Sequence, residues 1–286
     1  MRISHRYWPL WLCLSIGIIA ISIYGLTDHN SSPGPNNSLY GQNSKLYVKA
    51  FPTTKNSSWM PVTELNLLNA PTTPGEKSIW EPNKTRITSH LWEVTKHPNR
   101  APSDRELRDA YQLYNQTYQH ALEANWTDPA EAREDGYAPI GNGMNDLHWY
   151  NNALFLDNAT NNPEKPETLL YKRNESTTRF LGVMYESSSV TEPLNPPGGP
   201  TIRPHVHIWE EHWCFKQNVL RLQRPPCPQN WPKHRTSVQM YHIWFVEDKQ
   251  GGPFATSMNL LASGKFDEAP HKLNQSEFND AVLANQ

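Results

Sequence analysis

The sequence has no large excess of charge of either sign. It contains 26 Lys and Arg residues and 28 Asp and Glu residues, which gives a formal net charge of −2. A nucleic-acid-binding surface requires a clustered surplus of Lys and Arg. The composition therefore excludes nucleic acid as an expected partner.

The common catalytic signatures are also missing. The chain contains no G-x-S-x-G nucleophile elbow, no phosphate-binding P-loop, no H-E-x-x-H zinc motif and no glycine fingerprint for a dinucleotide. These absences exclude the enzyme classes that carry those motifs. Any chemistry must therefore come from a different arrangement of side chains.

Only one long uncharged apolar run occurs, at the N-terminus. Residues 7–27 form a stretch of 21 residues without charge, and a helix of about 20 residues crosses a bilayer core. Arg2 and Arg6 precede the run and Asp28 follows it, so the positive-inside bias places the N-terminus in the cytoplasm. We predict that residues 1–27 form a cytoplasmic stub and transmembrane anchor of a single-pass membrane protein. A cleaved signal peptide is the alternative, but no A-x-A-like site follows the run.

Cysteine is scarce, with three residues in the chain. Cys13 lies in the apolar run, whereas Cys214 and Cys227 follow it and belong to the extracytoplasmic part, where disulfides persist. Twelve residues separate the latter pair, and closing a loop of this size stabilises a fold by roughly 3 kcal/mol in the chain-entropy model. We predict a Cys214–Cys227 disulfide. Two free thiols, or half of a metal site, are the alternatives.

Residues 28–88 are rich in Asn, Ser, Pro and Thr, a composition that predicts a mostly irregular stalk or linker. Two apolar pieces within it, LYVKAF and WMPVTELNLL, are candidates for docking on the domain that follows. The chain also carries nine N-x-S/T sequons, which favour glycosylation in a secretory pathway, although Asn-rich loops produce the same pattern without sugar. The sequon residues are Asn30, Asn36, Asn56, Asn83, Asn115, Asn125, Asn158, Asn174 and Asn274.

Residues 89–286 are predicted to form an extracytoplasmic α+β domain. Ser103 and Glu106 form a capping box before a helix whose apolar stripe runs to Leu122. A second, short helix is predicted from the Thr127 cap to near Gly136. Strand-like segments follow, namely LHWYNNALFL, TLLYK, RFLGVMYE, HVHIWEEHW and QMYHIWFVE. The pattern predicts an antiparallel sheet or small barrel preceded by two helices.

Four histidines are candidate metal ligands. His205 and His207 alternate along a predicted strand, so both side chains lie on one face. His148 and His242 lie in other strand-like segments flanked by aromatic residues. Imidazole suits Zn, Cu or Fe, and the ligand type does not distinguish them. The alternative is that each is an ordinary core histidine, but adjacent buried imidazoles cost desolvation unless both are satisfied.

The stretch containing His205, His207 and Glu211 matches H-x-H-x3-E, and thereby resembles the first motif of the cupins. The glycines expected around that motif are absent, and nothing downstream matches the second cupin motif. We expect Glu211 to matter less as a ligand than the four histidines, and Glu186 to be a candidate ligand or general base. His234 and His271 lie in loop-like contexts and are expected to take no part.

A longer series of motifs resembles a family of secreted or membrane-anchored proteins. The series comprises Asp135-Gly136-Tyr137, Gly143-Met144, His148-Trp149, Asn152-Ala153-Leu154, PEKPETLLY (163–171), LGVMYE (181–186), His242-Ile243-Trp244 and GGPFA (251–255). The resemblance implies a shared fold over roughly residues 118–260, and that His148 and His242 belong to the common pattern. It implies no particular activity. The H-x-H segment between the motifs is an elaboration of this chain.

Together these features predict a membrane-anchored extracytoplasmic domain that binds a transition metal ion through His148, His205, His207 and His242. Such a site serves either a metal-dependent enzyme, which needs an open coordination position, or a storage or delivery protein, which does not. The alternative is a structural or protein-interaction ectodomain whose histidines pack among Trp and Tyr without metal.

Overall fold

The computed structural model describes residues 47–51, 60–61, 89–96, 99–139, 148–157, 159–173, 177–187, 194–215, 222–223, 229, 233–246, 252–256 and 270–284. Four helices lie in these ranges: α1 (Asp104–Glu123), α2 (Pro129–Glu134), α3 (Asn152–Phe155) and α4 (Gln275–Leu283). The strands are β1 (Tyr47–Phe51), β2 (Met60–Pro61), β3 (Ser89–Thr95), β4 (Ala138–Pro139), β5 (His148–Tyr150), β6 (Thr168–Arg173), β7 (Thr178–Glu186), β8 (His205–Phe215), β9 (Leu222–Gln223), β10 (Lys233–Thr236) and β11 (Met240–Trp244).

Helix α1 begins where the capping box predicts. The Ser103 side chain accepts a hydrogen bond from the Glu106 main-chain N–H, and the Glu106 carboxylate accepts one from the Ser103 N–H at 2.9 Å. The buried face of the helix lies over the sheet, and Thr117 Oγ1 is 2.7 Å from the Tyr185 hydroxyl of β7. The predicted stripe extends too far at its end, because Leu122 is exposed.

Helix α2 starts one residue later than predicted. Its cap is Asp128 and not Thr127, and Asp128 Oδ1 accepts a hydrogen bond from the Ala130 N–H at 2.8 Å. Aspartate is at least as good an N-cap as threonine, and Pro129 then occupies the first turn. The helix ends at Glu134.

The strands form an open antiparallel sheet over the described residues, with the order β2, β1, β3, β8, β11, β7, β6, β5 and β4. Strands β9 and β10 also pair with β8. The α+β class is therefore confirmed. The predicted chain order is wrong in one respect, because β1 to β3 precede the helices. Strands β1 and β2 come from the two apolar pieces of the 28–88 segment, and β1 pairs with β3 along all five of its residues.

The segment predicted as the strand LHWYNNALFL divides into two elements. Strand β5 covers His148–Tyr150, and helix α3 begins directly afterwards. Asn151 causes the change, since its side-chain oxygen accepts hydrogen bonds from the Ala153 and Leu154 N–H groups. An asparagine at this position offers the main chain a helix cap in place of further strand pairing.

The sheet buries residues on both faces. One face packs against α1 and α4 through Leu169, Tyr171, Val183, Tyr185, Tyr241, Ile243 and Phe245. The opposite face carries a second cluster that includes Leu170, Leu181, Met184, Met240 and Trp244. Successive side chains of β7 and β11 therefore alternate between a core covered by helices and a second buried face of the sheet.

Gly182 allows β7 and β11 to approach closely. A Cβ at this position would lie 2.1 Å from the Ile243 carbonyl oxygen, and the residue has a φ of +158°. A register shift between Leu170 and Tyr171 of β6 lies beside it. Such bulges bend a strand and increase its twist. Both features favour bending of the sheet at β6 and β7.

Two pairs of the family-like motifs are joined by hydrogen bonds. The Tyr137 hydroxyl donates to the Pro166 carbonyl at 2.8 Å, and Trp244 Nε1 donates to the Ala255 carbonyl at 2.8 Å. These bonds connect segments that are distant in sequence. They give the motif residues a structural role in holding the loops against the sheet.

Several features predicted from the sequence lie outside the described residues. They are the anchor at residues 7–27, Cys227, and the sequons at Asn30, Asn36, Asn56, Asn83, Asn158 and Asn174. Cys214 lies in β8, opposite Gln223 of β9 and Lys233 of β10. Within the described ranges, no helix has the length and apolar character needed to cross a membrane.

Candidate metal centre

The sheet register places all four candidate histidines on the second buried face. His242 of β11 lies opposite Met184, which belongs to the cluster on that face, and His205 of β8 lies opposite Met240, which belongs to it as well. Paired residues of antiparallel strands point to the same side of a sheet. His207 follows His205 by two residues and therefore shares its face. His148 reaches the same side through its pairing with Leu170.

The four imidazole rings form a single cluster. The ring centroids of His205 and His242 are 4.8 Å apart, those of His205 and His207 are 5.5 Å apart, and those of His148 and His242 are 6.4 Å apart. The structure therefore brings together three strands, β5, β8 and β11, at one place.

The proximity of His148 and His242 shows that the sheet curls around this cluster. Strands β5 and β11 are separated in the sheet by β6 and β7. On a flat sheet their main chains would lie about 14 Å apart, since neighbouring strands are about 4.8 Å apart. The two rings approach to 6.4 Å because the side chains project into the inside of the bend. The histidine face is thus the concave one.

His205 and His242 are almost completely buried, with 0% and 2% of their surfaces exposed. None of their four ring nitrogens has a hydrogen-bond partner among the described residues. The Ala255 main chain is near enough to His242 to raise its pKa slightly, but the contact lacks hydrogen-bond geometry. A buried polar group left without a partner costs roughly 1–3 kcal/mol. These two rings are therefore a costly arrangement unless something else satisfies them.

Burial keeps all four imidazoles neutral. Desolvation is the main cause that lowers the pKa of His242 to about 3 and that of His207 to about 4. It also holds the pKa of His148 and of His205 well below the usual value, with further lowering from the neighbouring histidines. A neutral imidazole has one nitrogen with a free lone pair. At neutral pH the cluster therefore presents lone pairs and not positive charges.

The distances between the ring centroids are close to those expected for imidazoles bound to one metal ion, although the ring nitrogens do not converge on a single point. Two imidazoles on one tetrahedral ion, with metal–nitrogen bonds of about 2.0–2.1 Å, have ring centroids about 5 Å apart. The His205–His242 and His205–His207 separations fit this value, and that of His148 is longer. Within the described part of the chain, no group of three or more His, Cys, Asp or Glu residues has its donor atoms placed to hold a metal ion. Coordination would require rotation of the rings.

A buried carboxyl group lies on the same face. Glu186, predicted as a candidate ligand at a strand end, is not solvated but 1% exposed. It accepts hydrogen bonds from the Tyr150 hydroxyl and from Thr168 Oγ1, each at 2.9 Å. Burial raises the pKa of Glu186 to about 7. Tyr150 in turn stacks on His148, with ring centroids 6.5 Å apart.

A second buried carboxylate, Glu93 of β3, pairs with His205 in the register. Its two oxygens lie 3.4 Å from Thr256 Oγ1 and 3.6 Å from Arg203 Nη1. Sequence reasoning missed Glu93 because it lies 112 positions before His205 and outside every motif. Tyr150 could have been predicted from the sequence, because it lies two residues after His148 and must share its face if β5 is a strand.

The remaining residues named from the sequence are Glu211, His234 and His271. The Glu211 main chain belongs to β8, but its side chain is outside the described set. His234 does not lie in a loop as predicted, because β10 pairs it with Trp213. His271 lies in an irregular segment away from the cluster and uses its main-chain N–H to donate to the Phe245 carbonyl.

No protein-family model matches this chain, and comparison with curated proteins and with solved structures finds no significant similarity.

Proposed function

We propose that this protein binds one transition metal ion through His205, His207 and His242, with His148 as a fourth ligand or close neighbour. The observation that carries the proposal is the set of four partnerless ring nitrogens on His205 and His242, both buried. A bound metal would satisfy one nitrogen on each ring. It would thereby turn an unfavourable buried arrangement into a stabilising one.

The electrostatics of the cluster support this proposal over a binding site for an anion. Neutral imidazoles donate lone pairs to a cation, whereas protonated imidazoles attract anions. The lowered pKa of His207, about 4, keeps its ring neutral throughout the physiological range. Zinc, copper and iron all accept such ligands. A catalytic role would require, in addition, an open coordination position.

We further propose that the domain is extracytoplasmic and anchored by residues 7–27, the only long uncharged apolar run in the sequence. The basic residues before this run and the acidic residue after it support a cytoplasmic N-terminus. Protease added outside sealed cells or vesicles should then degrade the chain after residue 28 and leave the N-terminus protected. Recovery of a soluble mature chain that begins near residue 27 would replace the anchor with a signal peptide.

A second candidate function is that of a protein-interaction or structural ectodomain without metal. One observation favours it: among the described residues, no group of three or more potential ligands already has metal-binding geometry. In that case the histidines would pack as core residues against one another and against Trp244, whose ring centroid is 4.9 Å from that of His242.

The metal content of purified variants separates the two functions. His207→Ala should abolish stoichiometric metal binding by the full-length protein, because it removes one of three closely spaced rings. The matched control is His271→Ala, which removes an imidazole away from the cluster and should bind metal like the wild-type protein. Equal metal content in both variants would refute the proposed ligand set.

A further inference from the structure

Two methionines flank the histidine cluster in the sheet register. Met184 of β7 lies directly opposite His242, and Met240 of β11 lies directly opposite His205. Both methionines are buried and belong to the cluster on the concave face. Directly opposed residues have Cβ atoms about 4.5–5.5 Å apart, and methionine has three rotatable bonds beyond its backbone. Either thioether therefore lies within reach of the histidine ligands.

The oxygen donors on this face have contacts of their own. The two carboxyl oxygens of Glu186 accept hydrogen bonds from Tyr150 and Thr168. Those of Glu93 contact Thr256 and Arg203. Met184 and Met240 add two thioether sulfurs directly opposite the imidazoles of His242 and His205.

A donor set of imidazole and thioether distinguishes between metals that imidazole alone does not. Protein sites for zinc use thiolate, imidazole and carboxylate ligands, whereas thioether is a soft ligand that suits Cu(I). The charge of the ion gives the same preference. Imidazole and thioether are both neutral, so they do not offset the charge of a buried cation, and burying a single charge costs less than burying two. Cu(I) carries a single charge.

We infer that the metal taken by this site is copper in its Cu(I) state, with the thioether of Met184 or Met240 completing the histidine ligand set. The inference rests on the proposed metal-binding function and adds the identity of the metal and a further ligand. It assigns one of the two methionines a role beyond filling the core.

The test measures Cu(I) and Zn(II) affinity separately on the full-length protein in detergent, stripped of metal with a chelator. Cu(I) is titrated without oxygen in competition with bicinchoninate, and Zn(II) against a chromophoric zinc chelator. The double variant Met184→Leu/Met240→Leu conserves side-chain volume but removes both sulfurs. Met60→Leu is the control, because Met60 lies in β2 at the far edge of the sheet.

The double variant should lose about tenfold or more of its Cu(I) affinity, because only the soft ion depends on sulfur, and should keep its Zn(II) affinity within about threefold. Met60→Leu should match the wild-type protein for both ions. If the double variant binds Cu(I) as tightly as the wild type, and Zn(II) binding still requires His207, the copper inference is wrong and the histidine site stands. If the wild type binds neither ion and takes up no iron either, the proposed function itself fails.

X-ray absorption at the copper edge decides the inference even if the double variant does not fold. The copper-loaded wild-type protein should show a sulfur atom in the coordination sphere together with imidazole nitrogens. A coordination sphere of nitrogen and oxygen alone would overturn the assignment of the methionines.

Discussion

His205 and His242 come from different strands, β8 and β11, and their ring centroids lie 4.8 Å apart with no hydrogen-bond partner for any ring nitrogen among the described residues. Replacing one ring by an apolar side chain should therefore cost the metal-free protein little. We expect His205→Leu to change the free energy of unfolding, measured with urea in the presence of a chelator, by less than about 1 kcal/mol.

The same variant should lose the stabilisation that added metal gives. Wild-type protein with metal at about 100 times its dissociation constant should gain about 2.7 kcal/mol, and His205→Leu should gain none. His271→Leu serves as the control and should keep the gain. A loss of several kcal/mol by His205→Leu in the chelator-treated protein would mean that His205 already has a stabilising partner, contrary to this account.

The Glu186 carboxyl should make stability fall as pH rises. Its pKa is about 7 in the folded protein, against an ordinary value of 4.5, because burial penalises the charged form. Between these two pH values Glu186 binds more protons in the folded state than in the unfolded state, so its contribution to the free energy of unfolding decreases with pH. The stabilising contribution of protonated Glu186 is fully present below about pH 4.5 and is lost above about pH 7. It amounts to roughly 3 kcal/mol, at about 1.4 kcal/mol per pH unit.

Glu186→Gln tests this assignment, because glutamine keeps an acceptor for Tyr150 or Thr168 but does not titrate. Urea unfolding of the metal-free protein at a series of pH values should show a more positive slope of the free energy of unfolding against pH for the variant between pH 4.5 and 7, because the falling contribution of Glu186 is removed. The buried Glu167, whose pKa burial raises to about 9, and the four histidines, whose pKa burial lowers, contribute to the slope of both proteins alike. Identical slopes over that interval would show that Glu186 does not titrate there.

Gly182 is expected to tolerate no side chain. In Gly182→Ala the new Cβ would lie 2.1 Å from the Ile243 carbonyl oxygen, so β7 and β11 would have to separate. We expect the free energy of unfolding to fall by about 2 kcal/mol or more. Gly136→Ala is the comparison, because its φ is +91° but its Cβ meets a side-chain amide at 3.2 Å. It should cost about 1 kcal/mol. Equal losses would mean that the close approach at Gly182 is not important.

Cys214 and Cys227 should form a disulfide. Peptide mapping without reduction should recover the two cysteines linked, and Cys214→Ser should lower stability by about 2–5 kcal/mol, the usual range for a bridge in a small secreted domain. A Cys13→Ser variant is the control and should map identically. Rapid alkylation of Cys214 and Cys227 in the folded, unreduced protein would show that no bridge exists.

The parts of the fold that could be predicted are those where one local pattern dominates. The capping box of Ser103 and Glu106 fixed the start of α1, and alternation along β8 placed His205 and His207 on one face. Local signals failed where they competed. Asn151 ends a strand by capping a helix. Helix α4 was not predicted, although Asn274 forms a capping box with Glu277 at its start; Asn274 is also the first residue of a sequon.

The candidate site was only partly predictable, because its completion depends on strand order. His148 and His242 are 94 positions apart in sequence, and their approach follows from the order β11, β7, β6, β5 and from the curl of that sheet. No local pattern carries this information. The partners of Glu186 were hidden for the same reason, since Thr168 lies in the neighbouring strand β6 and Tyr150 of β5 reaches Glu186 across β6.

Metal stoichiometry shows whether the histidine cluster holds a metal ion. Full-length protein, purified without metal-affinity chromatography, is stripped with a chelator, incubated separately with zinc, copper and iron salts, freed of excess ion and analysed by elemental mass spectrometry. We expect about one ion per chain for the wild-type protein and none for a His205→Ala/His242→Ala variant, because coordination requires converging neutral imidazoles. Wild-type protein that retains no more of any ion than the double variant would contradict this expectation.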